Sequence, residues 1–372
     1  MRDDPVSHNK PAFRYRLMNL SSFIVSTNIG WFCVYIALYY KINYIIISYS
    51  NLHDIAIKAM KNNGVISILM ATYNGGKYIR QQLDSIFSQT YENWVLYISD
   101  DGSTDDTIAI IHEYMNKVSE GKIVLLNGPR IGFAGNFFSL LHNAKITSAY
   151  YAFCDQDDIW VDTKLEDAVR AVNVASSSAN SEYILYGSRT YLIDSRGNKC
   201  GASPCFQRPF GLRNALVQSY SGGNTMLFSH GLKKVIETFP ADETIVSHDW
   251  FLYLVCSALG GEIIYDENPN VLYRQHDDNL VGSNLGINSK LTRLRKIYGG
   301  DFKHWNAVNE KNLSFLKDKI AMEKRKIIAS YYHANSFSAI SRIRSFIHAG
   351  VYRQSVFETM FFMIMSFMGK LR

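Results

Sequence analysis

Three short uncharged runs constrain this chain more than any other feature: residues 65–71 (VISILMA), 94–99 (WVLYIS) and 150–154 (YYAFC). Each is too brief for a helix and apolar along its whole length, as strands buried on both faces of a parallel sheet are. Each also runs straight into a polar turn: TYNGG at 72–76, DDGSTD at 100–105 and DQDD at 155–158. A further strand is expected at 122–126, followed by a glycine-containing loop at 128–135. Between the strands, Ile79, Leu83, Ile86 and Phe87, and then Ile108, Ile111, Tyr114 and Met115, recur at helical spacing, with Ser103 or Thr104 as the cap of the second helix. Further helices are expected from Asn136 and over 162–175. Strand alternating with helix predicts an α/β fold built on a doubly wound, mostly parallel sheet with right-handed crossovers. In such a sheet the polar turns gather at one edge, where ligands bind.

After residue 175 the rhythm changes. Short strands are expected at 183–186 and 191–194, meeting a turn at 195–198, and again at 224–228, 262–265 and 271–274. This mixed second half offers room for an acceptor site. Residues 247–250 (SHDW) open a nearly wholly apolar helix through 259, and the chain beyond 285 reads as helical, basic and increasingly apolar. Residues 287–372 hold 16 Lys and Arg against 5 Asp and Glu, whereas the rest of the chain is net acidic. A basic tail, with Leu291, Leu294, Ile297 and Tyr298 sharing a face beside Arg293, Arg295 and Lys296, suits an anionic membrane surface. No nucleic-acid partner is expected.

Residues 17–40 carry no charge, a length that can span a bilayer or lie at its interface, although several Ser, Thr and Asn interrupt it. The expected organisation is therefore an N-terminal extension with a membrane anchor (1–64), a catalytic domain (65–282) and a helical membrane-associating region (283–372), held at the cytoplasmic face of the cell membrane. An extra helical hairpin packed on the domain is the other reading of 17–52. The five cysteines lack metal-ligand spacing, which points to reduced thiols.

Three carboxylates at a strand end (Asp155, Asp157, Asp158) repel one another unless a cation neutralises them, and Mg²⁺ or Mn²⁺ does so while leaving positions for substrate phosphates. A solvated acidic loop is the simpler alternative. Asp101 can accept the imide N–H of uracil or thymine, Tyr73 can pack on the base, Asp155 can hold the ribose and Asp157 the metal. No glycine-lysine loop cradles a triphosphate.

The segments ATYNGGKYIRQQLDSIFSQTYENWVLYISDDGSTDDT, FCDQDDIWVDTKL and SHDWFLYLVCSALGGEIIYDENPNVLYRQHDDNLVG occur in this order over roughly residues 65–282. Together they resemble glycosyltransferase family 2, and within it the bacterial rhamnosyltransferase-type members. The resemblance implies a GT-A (Rossmann-like) sheet flanked by helices and a nucleoside-diphosphate sugar donor of the dTDP or UDP kind. It assigns Thr72, Tyr73, Asn74, Asp101 and Asp155 to the nucleotide, Asp157 to the metal, His276 to the metal's remaining shell and Asp249 to the general base. Asn136 matches an Asn of the relatives' N-F pair, on the donor side. Asp249 read by itself is as well suited to cap the helix it opens, and His276 to a hydrogen-bonded loop. His248, Trp160 and Trp250 read as packing residues. Where many relatives have Cys-Thr, this chain has Gly223-Asn224-Thr225, which leaves the acceptor open. The expected activity is inverting transfer of rhamnose or another hexose to a lipid-linked oligosaccharide or growing surface polysaccharide. A membrane-tethered binding protein that keeps the fold without turnover is the alternative.

Overall fold

A computed structural model describes residues 64–179, 181–276, 300–332 and 338–371. The expected anchor at 17–40 and the basic helical face at 291–298 lie outside these residues.

Within the described residues the strands form one nine-stranded mixed sheet. Its first half comes from the apolar runs. β1 (Ile66–Thr72) lies parallel to β2 (Trp94–Asp100) on one side and to β4 (Tyr150–Cys154) on the other, and β3 (Ile123–Asn127) extends the sheet beyond β2. The run is apolar throughout because both faces are covered. Ile66, Ile68 and Met70 enter one core with Ala152 and Cys154, while Leu69 enters the other with Tyr151 and Phe153. The helices between the strands are α1 (Ile79–Phe87), α2 (Thr107–Met115) and α3 (Phe133–His142).

The register fixes where the turns meet. Thr72 stands opposite Asp100 and Met70 opposite Cys154, so 72–76, 100–105 and 155–158 emerge side by side at one edge.

The second half corrects several strand expectations. β6 (Ile184–Ile193) and β9 (Glu262–Arg274) are each one long strand, paired in parallel, where two short ones apiece were expected. The polar stretches that suggested breaks fall at register shifts around Arg189, where the ladder bulges and continues. Residues 223–225 form a turn of 3₁₀ helix before β8 (Leu227–Ser229), which pairs antiparallel with β4 and β6. β5 (Ile159–Trp160) was not anticipated, and β7 (Lys199–Ala202) closes a hairpin with β6. α4 (Lys164–Ala179) runs longer than expected.

The remaining helices are α5 (Leu212–Ala215), α6 (His230–Ile236), α7 (His248–Leu259), α8 (Asp301–Phe315), α9 (Met322–Tyr332), α10 (Ala339–Ala349) and α11 (Val356–Phe367). α7 is the spine of this side, buried from Trp250 to Ala258. Trp250 packs on Phe302 at 5.7 Å between ring centroids, and Phe302 on Phe362 of α11 at 4.7 Å. The C-terminal helices thus share the core that backs the sheet edge. Cys154 and Cys256 are buried, Cys200 and Cys205 exposed, and all four are free thiols.

Candidate active site

The turns at 72–76 and 100–105 are organised by a buried acid that the sequence did not single out. Asp100 accepts from the Thr72 hydroxyl (2.8 Å), from the amides of Gly102 (3.0 Å) and Ser103 (2.8 Å), and from the Ser103 hydroxyl (2.5 Å). Ser103 is therefore engaged here and does not cap α2, which begins after Asp106 without a side-chain cap bond. Thr72 is itself almost fully buried and acts through Asp100. Asn74 holds a left-handed backbone (φ 48°), which Asn tolerates better than most residues. Its amide donates to Ser103 Oγ and its Oδ1 accepts from the Thr104 amide, both at 2.8 Å, tying the two turns together.

Asp101 points the other way, into the loop before α3, and accepts from the Arg130 amide (2.6 Å) and the Gly132 amide (3.0 Å). It remains partly exposed and keeps lone pairs for a further donor. Tyr73 projects into solvent with 58% of its surface exposed. Its backbone is gripped by the Gln156 amide, which accepts from Tyr73 N (2.9 Å) and donates to Tyr73 O (3.0 Å). Gly75 is required beside this grip, because a Cβ there would meet Gln156 Oε1. Asn136 is buried, and its Nδ2 donates to Ser99 O at 2.8 Å, so it braces the end of β2 from within.

The acidic turn is tied to the end of β9. His276 Nε2 and Asp157 Oδ2 are 2.7 Å apart, and the His276 ring lies 5.1 Å from that of Tyr78. Arg274, 1% exposed, donates through its amide to Asp158 Oδ1 (3.1 Å), through Nε to Asp157 O (2.8 Å) and through Nη2 to Gln81 Oε1 (2.5 Å), with its guanidinium 4.5 Å over Tyr78. Asp158 is wholly buried and also accepts from Asn224 Nδ2. Burial, then Asp157 and Asp155, push its carboxyl well above the usual range. Asp158 thus anchors the turn from its buried side, while Asp155 and Asp157 stay partly exposed.

Asp249 lies near enough to Asp155 for their charges to repel. It is the second residue of α7, whose N-cap is Ser247, so the capping alternative does not hold. Asp249 is partly exposed, whereas His248 and residues 250–258 are buried. His248 stacks on Phe137 at 3.9 Å and meets Phe153 edge-on at 4.7 Å, and among the described residues neither ring nitrogen has a hydrogen-bond partner. Burial pushes its imidazole down to about 4, so it is a neutral wedge at physiological pH. Burial raises the Asp155 carboxyl to about 7, helped by repulsion from Asp157 and Asp249. Three carboxylates from two remote segments therefore share one field.

Among the described residues no group of three or more His, Cys, Asp or Glu is gathered closely enough to enclose a metal. The pair Asp157–His276, with Asp155 beside it, fits a more open arrangement. A hard divalent ion held by one or two carboxylates takes its remaining ligands from phosphates and water, and the repulsion among the carboxylates at Asp155 is the kind a bound cation relieves.

Gln156 and Arg274 were not singled out from the sequence, and Asp158 and Asn224 were noted there without the buried contact that joins them. Arg274 had one available signal, its position as the last residue of β9, two residues before His276.

Comparison with known proteins identifies the family. A family model described as Glycosyl transferase family 2 matches residues 67–235. The chain is 32% identical over 230 residues to the dTDP-rhamnosyl transferase RfbG of Shigella flexneri, covering 60% of this chain and 78% of that protein. It is 40% identical over 106 residues to the UDP-Glc:alpha-D-GlcNAc-diphosphoundecaprenol beta-1,3-glucosyltransferase WfaP of Escherichia coli, covering 28% of this chain and 40% of that one. Among solved structures, the mannosyltransferase PcManGT of Pyrobaculum calidifontis is similar at a TM-score of 0.43 and 17% identity, covering 83% of this chain and 87% of that one. The extent of the RfbG match, together with the family model and the motifs at the sheet edge, establishes that the chain belongs to glycosyltransferase family 2.

Proposed function

We propose that this hexosyltransferase works with inversion and with a divalent metal, moving rhamnose or a related hexose from a dTDP or UDP donor to a lipid-linked oligosaccharide or growing surface polysaccharide. What supports the reading is that Asp155 and Asp157 follow β4 at the sheet edge, with His276 2.7 Å from Asp157, while Asp249, partly exposed at the start of α7, is near enough to Asp155 for their charges to repel. The nature of the RfbG and WfaP matches supports the choice of donor and acceptor class.

In this reading Tyr73 packs on the base, Asp101 accepts its imide N–H, and Asp155 receives a ribose hydroxyl. Asn74, Asp100 and Gln156 keep these groups in register, and Asn136 does so indirectly through β2. Asp157 and His276 would hold Mn²⁺ or Mg²⁺, which when bound offsets the charge of the diphosphate. Asp249 accepts the proton of the acceptor hydroxyl as its oxygen bonds to the anomeric carbon. The bond from that carbon to the diphosphate oxygen breaks, and its electron pair leaves with the nucleoside diphosphate. Attack from the side opposite the leaving group inverts the centre.

The test is release of nucleoside diphosphate from a panel including dTDP-rhamnose and UDP-glucose, with and without Mn²⁺, by wild type and Asp157→Ala. Metal-stimulated turnover of one donor, lost in the variant, is expected. Metal-independent turnover that survives Asp157→Ala contradicts the metal assignment.

A further inference from the structure

The most apolar helix of the described C-terminal region is only half used by the protein. α11 has 12 residues, VFETMFFMIMSF, and is hydrophobic nearly all round, a pattern normally found when a helix is buried on every side. One face is buried: Phe362 and Met365 enter the core, with Phe362 edge-on to Phe302 and beneath the Arg353 guanidinium at 4.8 Å. The other face is open. Val356, Phe357, Met360, Ile364 and Phe367, with Met368 just beyond the helix, are each 46–69% exposed. At about 100° per residue these six positions fall in one sector of roughly 120°, so they form a stripe.

Neighbouring chemistry is basic. α10 exposes Ile340 and Ile347 with Arg344 and His348 among them. Arg342 ties the first turn of α10 to the last turn of α11 through Ser366 O (3.0 Å) and Phe367 O (2.7 Å), so the two helices run antiparallel. Between residues 338 and 371 there are four Lys or Arg and one acid, Glu358, and that acid is paired with Arg353 at 2.8 Å.

We propose that this face is a membrane-docking surface, on which α11 lies in the plane of an anionic bilayer with its stripe at the headgroup boundary. Its length, about 18 Å at 1.5 Å per residue, is well short of the roughly 30 Å hydrocarbon core. No described helix is long and apolar enough to cross a membrane. A short helix with an open apolar stripe and basic neighbours suits the interfacial mode. A second copy of the chain on this face would bring two strongly basic segments together. Anionic lipid instead complements the 16-to-5 excess of basic residues over 287–372. The proposal stands apart from the identity of the sugar and from catalysis.

The full-length chain carrying Cys33→Ser, Cys200→Ser and Cys205→Ser takes a polarity-sensitive fluorophore at Met360→Cys or Ile364→Cys, with Val174→Cys on α4 as the control. Vesicles of phosphatidylglycerol and phosphatidylethanolamine, or of phosphatidylcholine, carry a nitroxide in the lipid. Expected are a blue shift and nitroxide quenching at 360 and 364 with the anionic vesicles, weakened by salt and absent at 174. Arg344→Ala should raise the lipid concentration needed for half-quenching about fivefold. Attachment of the chain to vesicles without quenching at 360 and 364 overturns the proposal, because the attachment then lies elsewhere. So does failure to attach, protection without lipid that depends on protein concentration, which identifies a second copy, or protection without lipid at every dilution, which identifies another part of the same chain.

Discussion

Lys164→Met should make the protein more stable at neutral pH. Lys164 is fully buried at the start of α4, its amine has no hydrogen-bond partner among the described residues, and Nζ sits 3.9 Å over the Trp160 ring. Burial pushes its amine from 10.5 down to about 7, against the pull of Cys154 and Asp158. That gap corresponds to a penalty of about 5 kcal/mol at and below pH 7. The contact with Trp160 returns up to about 2 kcal/mol to the charged form. Methionine keeps much of the volume and makes its own contact with the indole, so the expected net gain is about 2–3 kcal/mol. The sign of the pH dependence is fixed by linkage. Between about 7 and 10.5 the unfolded lysine holds a proton that the folded one has released, so wild-type stability rises with pH and the penalty shrinks. From pH 7 to 9.5 it falls by about 3 kcal/mol, which erases the advantage of the variant. Urea unfolding at both pH values reads this directly, as a higher midpoint at pH 7 that converges with wild type at 9.5. A less stable variant at pH 7, or an advantage unchanged at 9.5, refutes the reasoning. Loss of transfer alongside the gain in stability would identify the lysine as a group kept for activity beneath Asp158.

Asp155 has the opposite pH signature: its folded carboxyl holds a proton up to about 7, so metal-free protein should lose stability as pH rises from about 4 to 7. The ceiling is about 4 kcal/mol, lowered by the solvent that still reaches the side chain, and urea midpoints at pH 5 and 7 should converge in Asp155→Asn. Gly223→Ala introduces a Cβ that collides with His248 Nε2. Because His248 is wedged against Phe137 and Phe153, the start of α7 must shift and carry Asp249 with it. Steady-state kinetics should show kcat down by about 10–100-fold with the donor KM unchanged, and a normal kcat would remove the wedge from the account.

The sheet edge was legible because its signal is local. An uncharged run that ends in a polar turn reports both a buried strand and its exposed end, and parallel pairing of β1, β2 and β4 does the rest. β6 and β9 were read in pieces because Ser188–Thr190 and Asp266–Pro269 look like turns, and only the pairing of the two strands shows that the ladder bulges and goes on. The buried roles of Arg274 and Asp158 were invisible for a related reason. Their partners include Asp157 O, Gln81 and Asn224, which lie far away in sequence, and nothing local distinguishes a buried arginine from a solvated one. Ser103 looked like a helix cap until Asp100, three residues earlier, competed for its hydroxyl. Asp249 could be found as an acid opening a helix, but its exposure on an otherwise buried segment required the packing of α7.

The assignment of Asp249 as base is the centre of the account, and Asp249→Asn tests it most directly. With the cognate donor fixed by the panel, binding by calorimetry and transfer to acceptor are measured on the same preparation. The account requires donor affinity within about twofold of wild type and transfer lower by about 10²–10⁴-fold. Transfer near the wild-type rate, with the donor bound normally, would contradict it.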